Sequence, residues 1–319
     1  MSTYFLGVDG GQTSTVALIG DEAGRILGAG RAGPCNHVRA EAGRAKFLSA
    51  MTGCLRAACE QADLDPGTIR FEAACLGFSG GPADKEAILK EILRVRRLVV
   101  THDALIALAG ATAGRPGIIT IAGTGSIAFG RNAAEQFARA GGWGYVFGDE
   151  GGGFDLTRQA LRAALRFEEG WGQPTALHKM LLQATGAINA NDLLHRFYTT
   201  DFPRPRVAGF ARLVDEAARA GDEVALEILH HAGGQLAELA GAVRGQLFGK
   251  SEPAYVSCVG GVFTSAILLE RYRALVELEE ENRFVPRRYG PAVGALLEAF
   301  RAVNRKVELG PLPEAIRDL

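Results

Sequence analysis

YFLGVDGGQTSTVALIGDEAGRILGAGRA, residues 4–32, holds three short apolar runs separated by two turns rich in glycine and polar residues. Apolar runs of this length bounded by Gly, Asp and Ser read as strands, and DEAG at 21–24 reads as a hairpin turn. Outward from this hairpin, residues 40–62 carry Ala, Leu and Met at helical spacing. FEAACLGFSGG (71–81) is a strand running into a glycine turn. ADKEAILKEILRV (83–95) is an amphipathic helix, RLVV (97–100) a strand, and ALIALAGATAG (104–114) a helix closed by Gly114. The order is βββαβαβα.

At residue 117 the pattern restarts. GIITIAGTGSIAFGR (117–131) is again strand, Gly/Thr/Ser turn, strand, and NAAEQFARAGG (132–142) reads as a turn and a third strand. Helical stretches are expected at 151–169, 175–184, 190–197 and 206–248. AYVSCVGGVF (254–263) is a strand ending in glycines, followed by helices in TSAILLERYRALV (264–276) and PAVGALLEAFRAVN (291–304). The repeat predicts an α/β chain of two similar lobes with a cleft between them. Their bounds are 1–115 and 116–319, with the possibility that the final helix packs back on the first lobe.

The 319 residues fit about two domains. Apolar residues make up 47% and charged ones 22%, enough for large cores with an ordinary surface. With 35 basic against 36 acidic side chains, the net charge of −1 points away from nucleic acid and anionic membranes as partners. MSTYFLGVDGG has no basic segment followed by an apolar one, so no signal peptide is expected. No apolar run reaches the ~18 residues of a membrane helix. The five cysteines, Cys35, Cys54, Cys59, Cys75 and Cys258, are scattered, as in a reduced cytosolic protein.

Three turns share one chemistry: Asp9-Gly-Gly-Gln-Thr-Ser-Thr15, Gly123-Thr-Gly-Ser126, and Val259-Gly260-Gly261. Each follows an apolar strand. Glycine permits positive φ and close ligand approach, and successive N–H groups with Thr or Ser hydroxyls make an anion nest. Hairpins favour glycine for their own sake as well. Three such turns point to phosphate binding, with Gly11, Thr13, Gly123, Thr124, Gly260 and Gly261 as binding residues. A carboxylate beside a polyphosphate needs a cation between them. Asp9 therefore reads as a Mg²⁺ partner, acting through water, since Mg²⁺ keeps several of its waters; the alternative is a turn-initiating Asp. GQLFGKS (245–251) is not a P-loop, because Arg244 stands where its first glycine belongs and the segment before it is helical in pattern. There is also no G-x-G-x-x-G opening a βαβ unit.

In LVVTHDALIALAGA (98–111) one apolar run stops at Thr-His-Asp and another begins at once. Asp103 reads either as the N-cap of the helix 104–113 or as a functional carboxylate at a strand end, and the stretch alone leaves both open.

GVDGGQTST, CNH at 35–37, LGFSGG, THDA, IAGTGS, GGWGYVFGDEGGGF at 141–154 and CVGGVFTS together resemble one family. It is the N-acetylglucosamine kinase branch of the sugar kinase/actin/Hsp70 superfamily, which includes the BadF/BadG/BcrA/BcrD-type ATPases. The motifs run in family order from residue 7 to residue 265, and GGWGYVFGDEG is the most specific. The resemblance implies two ribonuclease-H-like lobes with mixed sheets, ATP and Mg²⁺ in the cleft, and an amino sugar as phosphate acceptor. Thr13 and Thr124 would touch phosphates, Ala208 the nucleotide, and Gly260 and Ser265 the adenosine. Asn36, Asp103, Ser126, Gly142, Trp143, Gly144 and Asp149 match sugar-contact positions, with the catalytic base at Asp103. Trp143 would wall the pocket, or else pack in the core. The resemblance also implies transfer to the sugar 6-position, a cytoplasmic location and a homodimer. Ile127 stands where animal members carry Asn.

Three rival readings are a kinase for glucosamine or another amino sugar, an ATP-driven activator of acyl-CoA dehydratases, and a sugar-sensing regulator. The activator uses cysteines to hold an iron–sulfur cluster, and this chain has none between residues 76 and 257. A regulator adds a DNA-binding segment, for which the first strand at residue 4 is expected to leave no room.

Overall fold

The computed structural model describes residues 3–35, 41–80, 82, 84–310 and 312. The chain divides into two compact units, Met1–Arg115 with Pro286–Leu319, and Pro116–Val285.

In the first unit, β1 (Tyr4–Gly10), β2 (Thr15–Asp21) and β3 (Ile26–Ala32) form an antiparallel meander. The chain then passes through α1 (Glu41–Gln61) to β4 (Phe71–Phe78), and through α2 (Glu86–Ile92) to β5 (Val95–His102). β4 pairs parallel with β1, and β5 parallel with β4, giving the order β3-β2-β1-β4-β5. Parallel strands need crossover helices, and α1 and α2 supply them. α2 is shorter than its pattern predicts: the chain extends from Val95, so VRR joins the strand that RLVV announces. α3 (Asp103–Ala111) follows, and positive φ at Ala113 and Gly114 ends it.

One face of this sheet packs on α1 through Phe47, Met51, Cys54 and Ala58. The other face packs on α3 and on α11 (Pro291–Arg301), where Phe5, Val16, Leu18, Ile106, Leu296 and Phe300 form one cluster. α11 thus lies with the first unit, although it follows the whole second unit in sequence. The reason is its composition: Ala292, Val293, Ala295, Leu296 and Ala299 are all buried, so one broad apolar face demands a sheet.

The second unit repeats the plan. β6 (Gly117–Ala122), β7 (Ser126–Arg131) and β8 (Phe137–Gly141) form a meander, and β9 (Ala254–Val259) and β10 (Asn282–Phe284) add in parallel. The order β10-β9-β6-β7-β8 is the order of the first sheet. Between β8 and β9 lie α4 (Gly153–Glu168), α5 (Leu177–Thr185), α6 (Ala190–Phe197), α7 (Arg204–Gly209), α8 (Ala211–Arg219) and α9 (Glu223–Leu247); α10 (Ala266–Val276) follows β9.

The stretch 206–248, read as one helical run, is three helices. The chain bends at Phe210, and again at Gly221, whose φ is +90°. Asp222 then caps α9, its carboxylate accepting from Ala225 N at 2.9 Å. Residues 245–251 are the end of α9 and the turn after it. Among the described residues no helix is long and apolar enough to cross a membrane.

Candidate active site

In the first unit the parallel strands β1, β4 and β5 end in register, Gly10 beside Phe78 and Phe78 beside His102. The next residues, Gly11, Ser79 and Asp103, therefore emerge together at the carboxyl edge of the sheet, where α/β sheets bind ligands. The loop 11–14 is closed by Gly11 N donating to Ser14 O at 2.9 Å, and Thr13 is exposed on it. Ser79 N donates to Gly10 O at 3.2 Å, tying the end of β4 to this loop. Asn36 and His37 lie outside the described residues.

Asp103 does not cap its helix. The N-cap is His102, whose Nδ1 accepts from Leu105 N at 3.3 Å; Asp103 is the first residue of α3. The reading of Asp103 as the N-cap is thus corrected. An imidazole one residue earlier takes the orphan N–H, and the carboxylate points elsewhere. Its Oδ2 accepts from Ser79 Oγ at 2.9 Å. His102→Ala should cost about 1 kcal/mol, the ordinary value of a cap, read from urea unfolding.

Asp9, at the end of β1, is half-buried. Burial first, and the Asp103 carboxylate second, push its carboxyl up to about 6. A raised carboxylate favours the folded state most at low pH, and that contribution is lost as pH climbs through 6. The stability advantage of Asp9→Asn over the wild type should therefore grow from about pH 4 to above pH 6 and then level off, as read by denaturant unfolding along a pH series. Two carboxylates in one desolvated corner are the setting in which a divalent cation relieves repulsion. Among the described residues no group of three or more His, Cys, Asp or Glu makes a cage of its own. The donor set fits Mg²⁺ held largely by phosphate oxygens and water, with Asp9 as protein partner.

In the second unit the corresponding edge is a pocket. Gly123-Thr-Gly125 links β6 to β7, and Gly123 N donates to Gly125 O at 2.9 Å. The N-terminus of α4 docks on this turn: Gly153 N donates to Gly123 O at 2.7 Å and Phe154 N to Thr124 O at 3.0 Å. Gly123, Thr124, Gly153, Ala208, Gly261 and Ser265 line one cavity of about 390 Å³, the size of a small-ligand site. Five predicted nucleotide residues thus share one cavity: Gly123, Thr124, Ala208, Gly261 and Ser265. Gly260 sits just behind it in a backbone conformation, φ +115° and ψ 160°, that only glycine adopts readily. Ser265 also caps α10, accepting from Leu268 N at 3.4 Å. The sequence reading missed Arg212 and Asp215, which line the same cavity from α8. Asp215 Oδ2 meets Arg219 Nε at 2.9 Å. No motif marks either residue; only the helix face reveals them.

The predicted sugar-contact residues of this unit fall into two groups. Ser126 and Asp149 are buried and engaged within the fold. Ser126 Oγ donates to Glu150 O at 2.6 Å, Ser126 N donates to Asp149 Oδ1 at 3.4 Å, and Asp149 pairs with Arg204. Asp149 holds a positive φ of 65°, and a Cβ at Gly125 would overlap its carboxylate. This carboxylate therefore shapes the second glycine turn. Gly142 and Gly144, both at positive φ, open a loop on which Trp143 is 65% exposed. Trp143 is thus no core residue; the Arg139 guanidinium lies over its ring at 4.7 Å. The Ile127 side chain packs beneath Gly142.

A profile of the BadF/BadG/BcrA/BcrD ATPase family matches residues 6–299. The chain belongs to this family. An N-acetylmuramic acid/N-acetylglucosamine kinase from Clostridium acetobutylicum is 29% identical over 306 residues, 93% of this chain and 98% of its own. An N-acetyl-D-glucosamine kinase from Dictyostelium discoideum is 30% identical over 251 residues, 75% of this chain and 78% of its own. The crystal structure of a Chromobacterium violaceum protein described as a candidate N-acetylglucosamine kinase superimposes with a TM-score of 0.71 at 28% identity, covering 92% of this chain and 98% of its own. The ATPase family and its two-sheet fold are those that the motifs imply.

Proposed function

We propose that this member of the BadF/BadG/BcrA/BcrD family is an ATP-dependent amino-sugar kinase, with N-acetylglucosamine as first acceptor and N-acetylglucosamine 6-phosphate as product. The observation that carries the reading is the Asp103 carboxylate. It stands at a strand end beside the first glycine loop, released from capping by His102 and hydrogen-bonded by the Ser79 hydroxyl. The names of the Clostridium and Dictyostelium relatives support the substrate class.

The family resemblance and the glycine turns support the following roles. The cavity of the second unit takes the nucleotide, with Thr124 toward the phosphates and Ala208, Gly260 and Ser265 around the adenosine. In this reading Trp143 and the backbone at Gly142 and Gly144 contact the sugar, with Ser126 and Asp149 shaping the second glycine turn, and the resemblance alone adds Asn36 as a sugar contact. The sugar hydroxyl oxygen attacks the γ-phosphorus, its proton passes to Asp103, and the bond from the γ-phosphorus to the bridging oxygen of ADP breaks. Asp9 would hold Mg²⁺ through water, and the ion would supply neutralisation of the charge that develops on the transferred group. Phosphoryl transfer asks the protein mainly for positioning and electrostatics, and glycine turns at strand ends supply both.

The test is phosphorylation by Mg·ATP across N-acetylglucosamine, N-acetylmuramic acid, glucosamine, N-acetylmannosamine, glucose and no sugar. The highest kcat/KM on an N-acetylated amino sugar is expected. Glucosamine as the best acceptor would move the assignment within the class, and turnover of none of the amino sugars would contradict it. A cytoplasmic homodimer belongs to the same reading, and sedimentation of the purified protein reads the dimer.

A further inference from the structure

The Ser79 hydroxyl donates to Oδ2 of Asp103 at 2.9 Å, and nothing in the motifs that mark this family assigns Ser79 a role. One backbone hydrogen bond and the strand register fix where that hydroxyl sits. The Ser79 backbone N–H is held by Gly10 O at 3.2 Å, at the start of the first glycine loop. Ser79 also follows Phe78, which is in register with both Gly10 and His102. The hydroxyl is thus anchored at once to the phosphate-loop strand and to the strand that delivers the base. A carboxylate at the first position of a helix has a rotatable side chain, and His102 already occupies the Leu105 N–H that would otherwise orient it.

We propose that Ser79 is the positioning residue of the base, pinning Oδ2 so that Oδ1 takes the sugar proton. The inference rests on the reading of Asp103 as base. When the sugar oxygen bonds to the γ-phosphorus and ADP leaves, the proton moves to Oδ1, while the bond from Ser79 to Oδ2 persists. Ser79 neither gives nor takes the transferred proton. Its value therefore lies in orientation, since a misplacement of about 1 Å costs up to ~10²-fold in rate.

The experiment compares Ser79→Ala, Ser79→Thr, Asp103→Asn and the double variant Ser79→Ala/Asp103→Asn with the wild type. The readouts are kcat, KM for both substrates, and thermal unfolding. Ser79→Ala should lower kcat by about 10- to 100-fold with both KM values and the melting temperature near wild type. Ser79→Thr, which keeps the hydroxyl, should recover most of the rate. In the Asp103→Asn background the loss of Ser79 should cost little more, because a residue acting through the carboxylate has nothing left to position. An unchanged or higher kcat in Ser79→Ala, or a full additional loss in the double variant, overturns the inference while leaving the kinase reading intact. A wild type that phosphorylates no sugar removes the kinase reading itself, and this inference with it.

Discussion

Asp103→Asn is expected to lower kcat on the best amino sugar by about 10²–10⁴-fold, the range contributed by a general base. The KM for ATP should stay close to wild type. The amide keeps the shape of the side chain and an oxygen for the Ser79 hydroxyl, and the helix keeps its cap on His102, so the fold is untouched. What the variant loses is the acceptor for the sugar proton. Steady-state kinetics with an unfolding curve alongside make the check. A fall in rate with an unchanged melting temperature assigns the residue to chemistry; a fall in both assigns it to the helix.

Gly260→Ala is expected to destabilise the protein by on the order of 3 kcal/mol and to abolish saturable nucleotide binding. The residue sits at φ +115° and ψ 160°, where an L side chain is strained by itself. A Cβ would in addition overlap the backbone carbonyl of Ala122, the last residue of β6. That collision cannot be relieved by a rotamer change. Ala122 must shift, and the adjoining turn Gly123-Thr124 shifts with it. Gly261→Ala is the control, because nothing lies within 4 Å of the position its Cβ would take. It should unfold like wild type. Urea unfolding and titration with a fluorescent ATP analogue separate the two variants.

The sequence disclosed those features that carry a local signal. Alternation of apolar and polar runs gave the strands of both meanders, because each strand end is punctuated by glycine, Asp or Ser. The glycine turns after β1, β6 and β9 were legible for the same reason that they are useful: a strand that ends in glycine exposes backbone N–H groups. Features that depend on a partner far along the chain were not legible. β10 spans only Asn282–Phe284 and exists because β9 offers it an edge. The break at Phe210 follows Gly209, but a glycine by itself does not mark a break, since Gly233 and Gly234 lie inside α9. Arg204 is invisible as the partner of Asp149, from which it is separated by three helices and the loops between them. His102 displaced Asp103 as cap although Asp is the better capping residue in general. The local rule lost to tertiary placement, with Ser79, just past the end of the neighbouring strand, claiming the carboxylate. Trp143 could be read as wall or core from sequence, and only its exposure decides against the core.

In a kinase of this kind ATP's γ-phosphoryl group is expected to reach a sugar hydroxyl and not water. The most direct measurement incubates the wild-type protein with Mg·ATP and N-acetylglucosamine, and quantifies ADP, inorganic phosphate and sugar phosphate by phosphorus NMR. The expected result is equal amounts of ADP and N-acetylglucosamine 6-phosphate, no inorganic phosphate above background, and no ADP when the sugar is left out. ADP and inorganic phosphate in equal amounts, formed at the same rate with or without the sugar, would contradict it.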